Sequence, residues 1–151
     1  FSEKNIHNYH YSISAWFNIN PQPPNANKNN NEYTNIINYG NKPKITFNIS
    51  TNSLRIQTEI KNKELIEIFL SKDTPYQKWN NIVINYDGGY MDIFFNGNLV
   101  ASKSNISPLM SYDNIIIGQK NGLEGGIKNV TFFNRILKKG EIKYGYNIYK
   151  K

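Results

Sequence analysis

Cysteine is absent from this 151-residue chain, which excludes a disulfide scaffold, a thiolate metal site and a cysteine nucleophile together. Histidine is nearly absent. The two that occur, His7 and His10, stand in a leader ahead of the first strand pattern with only Glu3 as a nearby carboxylate, so they read as exposed leader residues and not as metal ligands. Arginine occurs only at Arg55 and Arg135. No apolar run approaches the roughly 18 residues of a membrane-spanning helix, so this segment is not expected to insert directly into a bilayer, and a membrane anchor is left to flanking sequence. The chain opens on Phe1 without a cleavable signal. It reads as one domain, residues 1–151, excised from a longer polypeptide and large enough to bury roughly two-thirds of its unfolded surface.

What is abundant is asparagine, at roughly one residue in six, followed by Lys, Ile and Tyr. AT-rich codons supply these residues whatever a protein does. The net charge of +7 suits a polyanion in general. Lysine is nevertheless scattered through turns and along strands, with neither a basic stripe nor a guanidinium fork, and no nucleic-acid partner is expected. Three N-x-S/T sequons, at Asn48, Asn105 and Asn129, match the roughly three that this composition produces by chance and carry no message about secretion.

Periodicity is strongest over residues 76–102, YQKWNNIVINYDGGYMDIFFNGNLVAS. Ile82, Ile84 and Tyr86 alternate up to Asp87-Gly88-Gly89. Met91, Ile93 and Phe95 alternate up to Asn96-Gly97, and Leu99 and Ala101 continue the pattern. Asp-Gly and Asn-Gly suit tight hairpins because both turn positions need φ > 0, so a three-strand meander is predicted with those side chains directed into the space between two sheets. Tyr11, Ile13, Ala15, Phe17 and Ile19 share one face of the first strand; Ser12, Ser14, Trp16 and Asn18 share the other. Residues 21–31 form a polar, proline-rich loop. Further strands are predicted at 34–39, 44–50, 54–60, 64–70, 114–119 and 126–133, and one short helix within 137–149. About ten strands with no helices between them predict an all-β fold, a two-sheet antiparallel sandwich with at most that one C-terminal helix.

Several spaced motifs resemble the concanavalin A-like lectin/glucanase (laminin G-like) jelly roll. They are Tyr11-Ser12-Ile13-Ser14-Ala15-Trp16-Phe17; Trp79 followed by Ile82-Val83-Ile84 and Tyr86-Asp87-Gly88; Ile93-Phe94-Phe95-Asn96-Gly97-Asn98-Leu99-Val100; Ile115-Ile116-Ile117-Gly118; and Gly125-Gly126-Ile127-Lys128-Asn129-Val130 with Asn134-Arg135-Ile136-Leu137 and Glu141-Ile142. The wording of Pro23-Pro24, of Tyr33-Thr34-Asn35-Ile36-Ile37-Asn38-Tyr39-Gly40 with Lys42-Pro43-Lys44-Ile45, of Gln77-Lys78-Trp79-Asn80 and of Tyr146-Asn147-Ile148-Tyr149 is similar to versions of this domain encoded by large DNA viruses of algae and protists.

The resemblance implies a jelly roll whose concave face or rim loops bind glycans or proteins in many relatives. Some relatives hydrolyse glycosides, using carboxylates about 5 to 9.5 Å apart on the concave face, which in retaining members sit at alternating positions as E-x-D-x-E. This chain has no such triplet. Glu64 and Glu67 face opposite sides of a strand, Asp92 stands alone between Met91 and Ile93, and Glu59 opposite Glu64 reads as a solvated, lysine-flanked edge. No enzyme activity and no cofactor are therefore expected. Calcium is the one ion the resemblance brings, with Asp87 and Asp113 as weak candidates beside Asp73, none matching a family ligand position. Turns already account for Asp87 and Asp113.

Aromatic rings are the remaining chemistry, since sugars stack on exposed rings while amides bond hydroxyls. The ligand-binding candidates are Tyr90, Tyr112, Tyr33, Tyr39 and Asn121, with Trp16 and Trp79 expected to be structural. The function expected is a non-catalytic binding module, for carbohydrate recognition or attachment, in a virus-encoded protein on a virion or cell surface. A structural domain contacting another virion or membrane-anchored protein is the alternative, and a glycoside hydrolase a distant third.

Overall fold

The computed structural model describes residues 10–23, 33–71, 74–108 and 112–150. His7, Glu3, Asp73 and most of the proline-rich loop lie outside them. Ten strands and one helix follow in order: β1 (His10–Ile19), β2 (Thr34–Tyr39), β3 (Lys44–Asn48), β4 (Ser53–Glu59), β5 (Leu65–Ser71), β6 (Asn80–Asp87), β7 (Tyr90–Phe95), β8 (Asn98–Ser104), β9 (Ile115–Ile117), β10 (Gly125–Phe133) and α1 (Lys139–Tyr149). They form two antiparallel five-stranded sheets, β10-β1-β6-β7-β8 and β5-β4-β3-β2-β9. This is the predicted sandwich.

Alternation explains the core. Tyr11, Ile13, Ala15, Phe17 and Ile19 of β1 and Ile82, Ile84 and Tyr86 of β6 meet Ile37, Ile45, Phe47, Leu54 and Ile56 of the facing sheet, all buried. The strands stop where local polar bonds compete with the ladder. Asn48 Oδ1 accepts the Ser50 N–H at 2.9 Å, which ends β3 two residues ahead of the predicted 50. Gly118, at φ 69°, ends β9 before the predicted 119.

Both hairpins of the meander have two-residue loops, with Asp87 paired to Tyr90 and Phe95 to Asn98. Their central residues Gly88, Gly89, Asn96 and Gly97 all have positive φ. Ile82, Ile84, Met91 and Ile93 enter the core, and Phe95 and Ala101 pack against it. Leu99 does not: it is 44% exposed. A register shift puts Ala101 opposite Ile93 but Leu99 opposite Phe94, so the bulge at Val100 reverses the side-chain parity and turns Leu99 to the outer face.

The outer face of the β1-containing sheet is covered by α1. Val83, Phe94, Leu137 and Ile142 form a second apolar cluster with Phe133 packed on it. Ahead of the helix, a buried polar clamp pins the chain to the sheet: Ser12 Oγ bonds Asn85 Oδ1, Asn85 Nδ2 donates to Leu137 O at 2.8 Å, and the Leu137 N–H donates to Ser12 Oγ at 3.1 Å. The helix then starts on Glu141, whose Oε1 accepts the Lys138 N–H at 2.9 Å while Arg135 grips both its oxygens at 2.8 and 3.1 Å. That pair holds the Glu141 carboxyl down at about 2, with the Arg135 bond the larger cause and the Lys138 N–H the second.

His10 is a correction. It is the first residue of β1, in register with Asp87, and its Nδ1 lies 2.8 Å from Asp87 Oδ1. The strand reaches one residue further back than the apolar alternation shows, because pairing with β6 fixes His10 although its side chain is exposed.

Candidate functional site

A concavity of the described surface lies where four segments meet beside the end of α1. Asn80 is buried, and its Nδ2 donates to Pro75 O at 3.0 Å and Lys78 O at 3.2 Å, folding the loop before β6 back on itself. Asn96 extends the amide network. Its Nδ2 donates to Asn80 Oδ1 at 3.1 Å and its Oδ1 accepts the Asn81 N–H at 2.8 Å, which ties that loop to the β7–β8 hairpin. Beside it, a Cβ on Gly97 would stand 3.2 Å from Tyr146, so glycine allows the helix to lay its tyrosine against the turn. Tyr146 stacks on Trp16 with centroids 5.9 Å apart and planes 9° from parallel.

Trp79 completes the wall. One edge of its indole touches Gly126, where a Cβ would come within 3.2 Å, and Lys128 Nζ sits 4.2 Å from its ring and 5.8 Å from that of Trp16. Lys150 Nζ lies 5.6 Å from the Tyr146 ring. The result is a cleft of about 520 Å³ walled by Trp79 and Tyr146, with Gln77, Lys78, Asn96 and Lys150 around it and no carboxylate in its lining. Gln77 holds a left-handed φ of 57° and donates its N–H to Ile19 O at 2.9 Å.

Two other surfaces carry less ligand chemistry. A cleft of about 320 Å³ opens at the sandwich rim between β1 and β2, under the β9–β10 loop, lined by Phe17, Ile36, Ile117, Leu123 and several glycines. Asn18 and Asn35 line it with side-chain oxygens that lack a partner, yet both oxygens are sealed from the cleft by burial and are not offered to a ligand. Among the described residues, the polar groups on the outer face of the second sheet are engaged with one another. Arg55 Nε donates to Thr46 Oγ1 at 3.2 Å and the guanidinium lies 4.4 Å from the Tyr33 ring; Gln57 Nε2 donates to Glu67 Oε2 at 2.7 Å; Tyr33 packs against Phe69 at 6.0 Å.

The five candidate ligand residues are not gathered by the fold. Tyr33 joins that outer-face group. Tyr39 is a core residue, 5% exposed, against Tyr11, Phe132 and Lys42, because β2 turns it inward; burial raises its phenol. Tyr90 is 56% exposed at the start of β7, and Tyr112 is 74% exposed ahead of β9 in the other sheet. Asn121 occupies the exposed β9–β10 loop at φ 56°, a turn role. The calcium candidates are engaged: Asp87 with His10, and Asp113 with the buried Lys42 ammonium at 2.5 Å. Among the described residues no three His, Asp or Glu side chains converge on a metal position. Burial also pushes the phenols of Tyr11 and Tyr86 far up, leaving both neutral hydrogen-bonding groups of the core.

Trp79 and Tyr146 were not among the ligand candidates. Trp16 is structural as expected, 5% exposed, but Trp79 both packs on Gly126 and shows its ring to a cleft. Nothing local in the sequence announces that pairing, since 79 and 146 meet only through the folding of α1 onto the sheet.

Comparison with known proteins agrees with the architecture. The chain resembles the botulinum neurotoxin type G receptor-binding domain at 21% identity and TM-score 0.70, over 94% of this chain and 38% of that one. It resembles the binding domain of Paraclostridial Mosquitocidal Protein 1 at 16% identity and TM-score 0.76, over 93% and 37%. The botulinum neurotoxin serotype D binding domain is matched at 20% identity and TM-score 0.68, over 93% and 37%. The chain thus spans less than two-fifths of the length of these structures, and likeness at this identity establishes the fold. No curated protein sequence matches. A profile of the concanavalin A-like lectin/glucanases superfamily matches residues 1–143, and with the two-sheet jelly roll on which that match falls, the chain belongs to this superfamily.

Proposed function

We propose that the chain is a non-catalytic carbohydrate-binding module that attaches a virus-encoded surface protein to glycans through the Trp79–Tyr146 cleft. The observation that carries the reading is the pair of aromatic walls held in place by the Asn80–Asn96 amide network. Sugar rings stack on such walls, and a preformed cleft lowers the ordering cost of binding. Two solved structures it resembles are described as the receptor-binding domain of a botulinum neurotoxin and the binding domain of a mosquitocidal protein, which supports a recognition role for this architecture. The viral setting rests on the wording of the sequence, and surface labelling of intact particles is its check.

The test is a glycan array with wild type and Tyr146→Ala, the fold of the variant being verified by near-ultraviolet circular dichroism. Loss of one stacking wall should weaken retention by about tenfold. Undiminished retention by a folded Tyr146→Ala removes the cleft from the proposal, and hydrolysis of any array glycan overturns the non-catalytic reading. Absence of all binding by wild type favours the second reading, a structural domain that contacts another surface protein. Ile116 and Ile117, 58% and 54% exposed on the edge strand β9, are the observation in its favour.

A further inference from the structure

We infer that the Trp79–Tyr146 cleft selects acidic glycans, those carrying a carboxylate or a sulfate on the sugar; this rests on the carbohydrate reading of the same cleft. Lys78 comes from the loop before β6, Lys128 from β10 and Lys150 from beyond α1. The fold brings all three ammonium groups to the two aromatic walls. Among the described residues no carboxylate forms an ion pair with any of these three lysines. The acidic residue of the adjoining groove, Glu141, is held on both oxygens by Arg135.

The amide groups point the same way. Asn80 Nδ2 donates to the loop carbonyls of Pro75 and Lys78, and Asn96 Nδ2 donates to Asn80 Oδ1, so these amides chiefly build the cleft. Lys78 and Lys150 bring ammonium groups to its lining, beside the Gln77 amide. A lysine is a compact point charge and not a planar fork, which suits one oxyanion at a time and not the doubled contact that arginine makes. Lys128 does not line the cleft, but its Nζ lies 4.2 Å from the Trp79 ring and adds positive charge beside that wall. An acidic sugar can stack and neutralise at once.

The experiment measures the whole chain by titration calorimetry against lactose, 3′-sialyllactose and 3′-sulfolactose, together with an array containing matched neutral and acidic glycans. Acidic members should bind at least about tenfold more tightly than their neutral counterparts, and the difference should shrink at high salt. Lys78→Gln and Lys150→Gln should each remove several-fold of the acidic preference, while Lys103→Gln, an exposed charge on β8, should leave it unchanged. Preference for the carboxylate or for the sulfate alone supports the inference and identifies the source of the charge. Equal binding of neutral and acidic glycans overturns it while the carbohydrate reading stands. Equal losses in all three lysine variants show an effect of net charge and overturn it as well. No binding to any glycan removes both.

Discussion

Gly97 is where a backbone requirement and a side-chain requirement coincide. Its φ of 84° belongs to the two-residue hairpin, and its missing Cβ leaves room for Tyr146. Gly97→Val should therefore destabilise the domain by about 1 to 2 kcal/mol through strain at positive φ, and it should also displace the Tyr146 ring. Urea unfolding reports the first effect and the quenching of Trp16 fluorescence the second. An unchanged midpoint would show that the turn tolerates a β-branched residue and that its geometry is not what the Asn-Gly pair implies. The same pair shows how far a residue-scale reading reaches. Asn96-Gly97 announces its turn in sequence because only a few residues accept that backbone. The bulge at Val100 announces nothing, since Leu99 and Ala101 keep a regular alternation while the chain between them slips out of register.

At the scale of elements, β1 was legible because its apolar residues recur at every second position from Tyr11 to Ile19, whereas β6 is buried on both faces and β2 carries a register shift. The extent of α1 was harder to read, because its amphipathic face is narrow: Ile142 is its one buried residue. Its start depends on Glu141 and Arg135, whose sequence spacing gives no sign that a polar clamp delivers them to the sheet. This contact makes a pH-dependent contribution of known sign. The folded-state pKa of Glu141, about 2, lies below the ordinary glutamate value, so the stabilisation is present above that ordinary value and is lost as pH falls from there towards 2. Both partners are well exposed, at 56% and 40% of their side chains, so solvent screens the pair and its contribution is small. Glu141→Gln should lower the urea midpoint slightly at pH 7 and by less at pH 2. A loss of equal size at both values would mean that the carboxylate charge is not the source.

At the scale of the whole molecule, the cleft belongs to no single stretch of sequence. Lys78 and Trp79, Asn96, Lys128, and Tyr146 with Lys150 are separated along the chain, and the lysines read there as scattered because sequence distance conceals their common destination. Composition gave the sign of the charge but not its place. Family motifs gave Trp79 and Gly126 as separate landmarks, and their contact appears only when β10 lies beside β1. That contact offers a test of whether the sandwich positions the site. Gly126 does not have a positive φ, so Gly126→Ala introduces no backbone strain, but its Cβ would stand 3.2 Å from the Trp79 ring. The indole must shift by a few tenths of an ångström, and with it moves the surface over which Lys128 is fixed. Glycan affinity should fall several-fold while the unfolding midpoint changes little, a combination that a purely structural role for Trp79 does not produce. Affinity equal to wild type in Gly126→Ala would show that the ring's placement is immaterial to binding and would return Trp79 to the core.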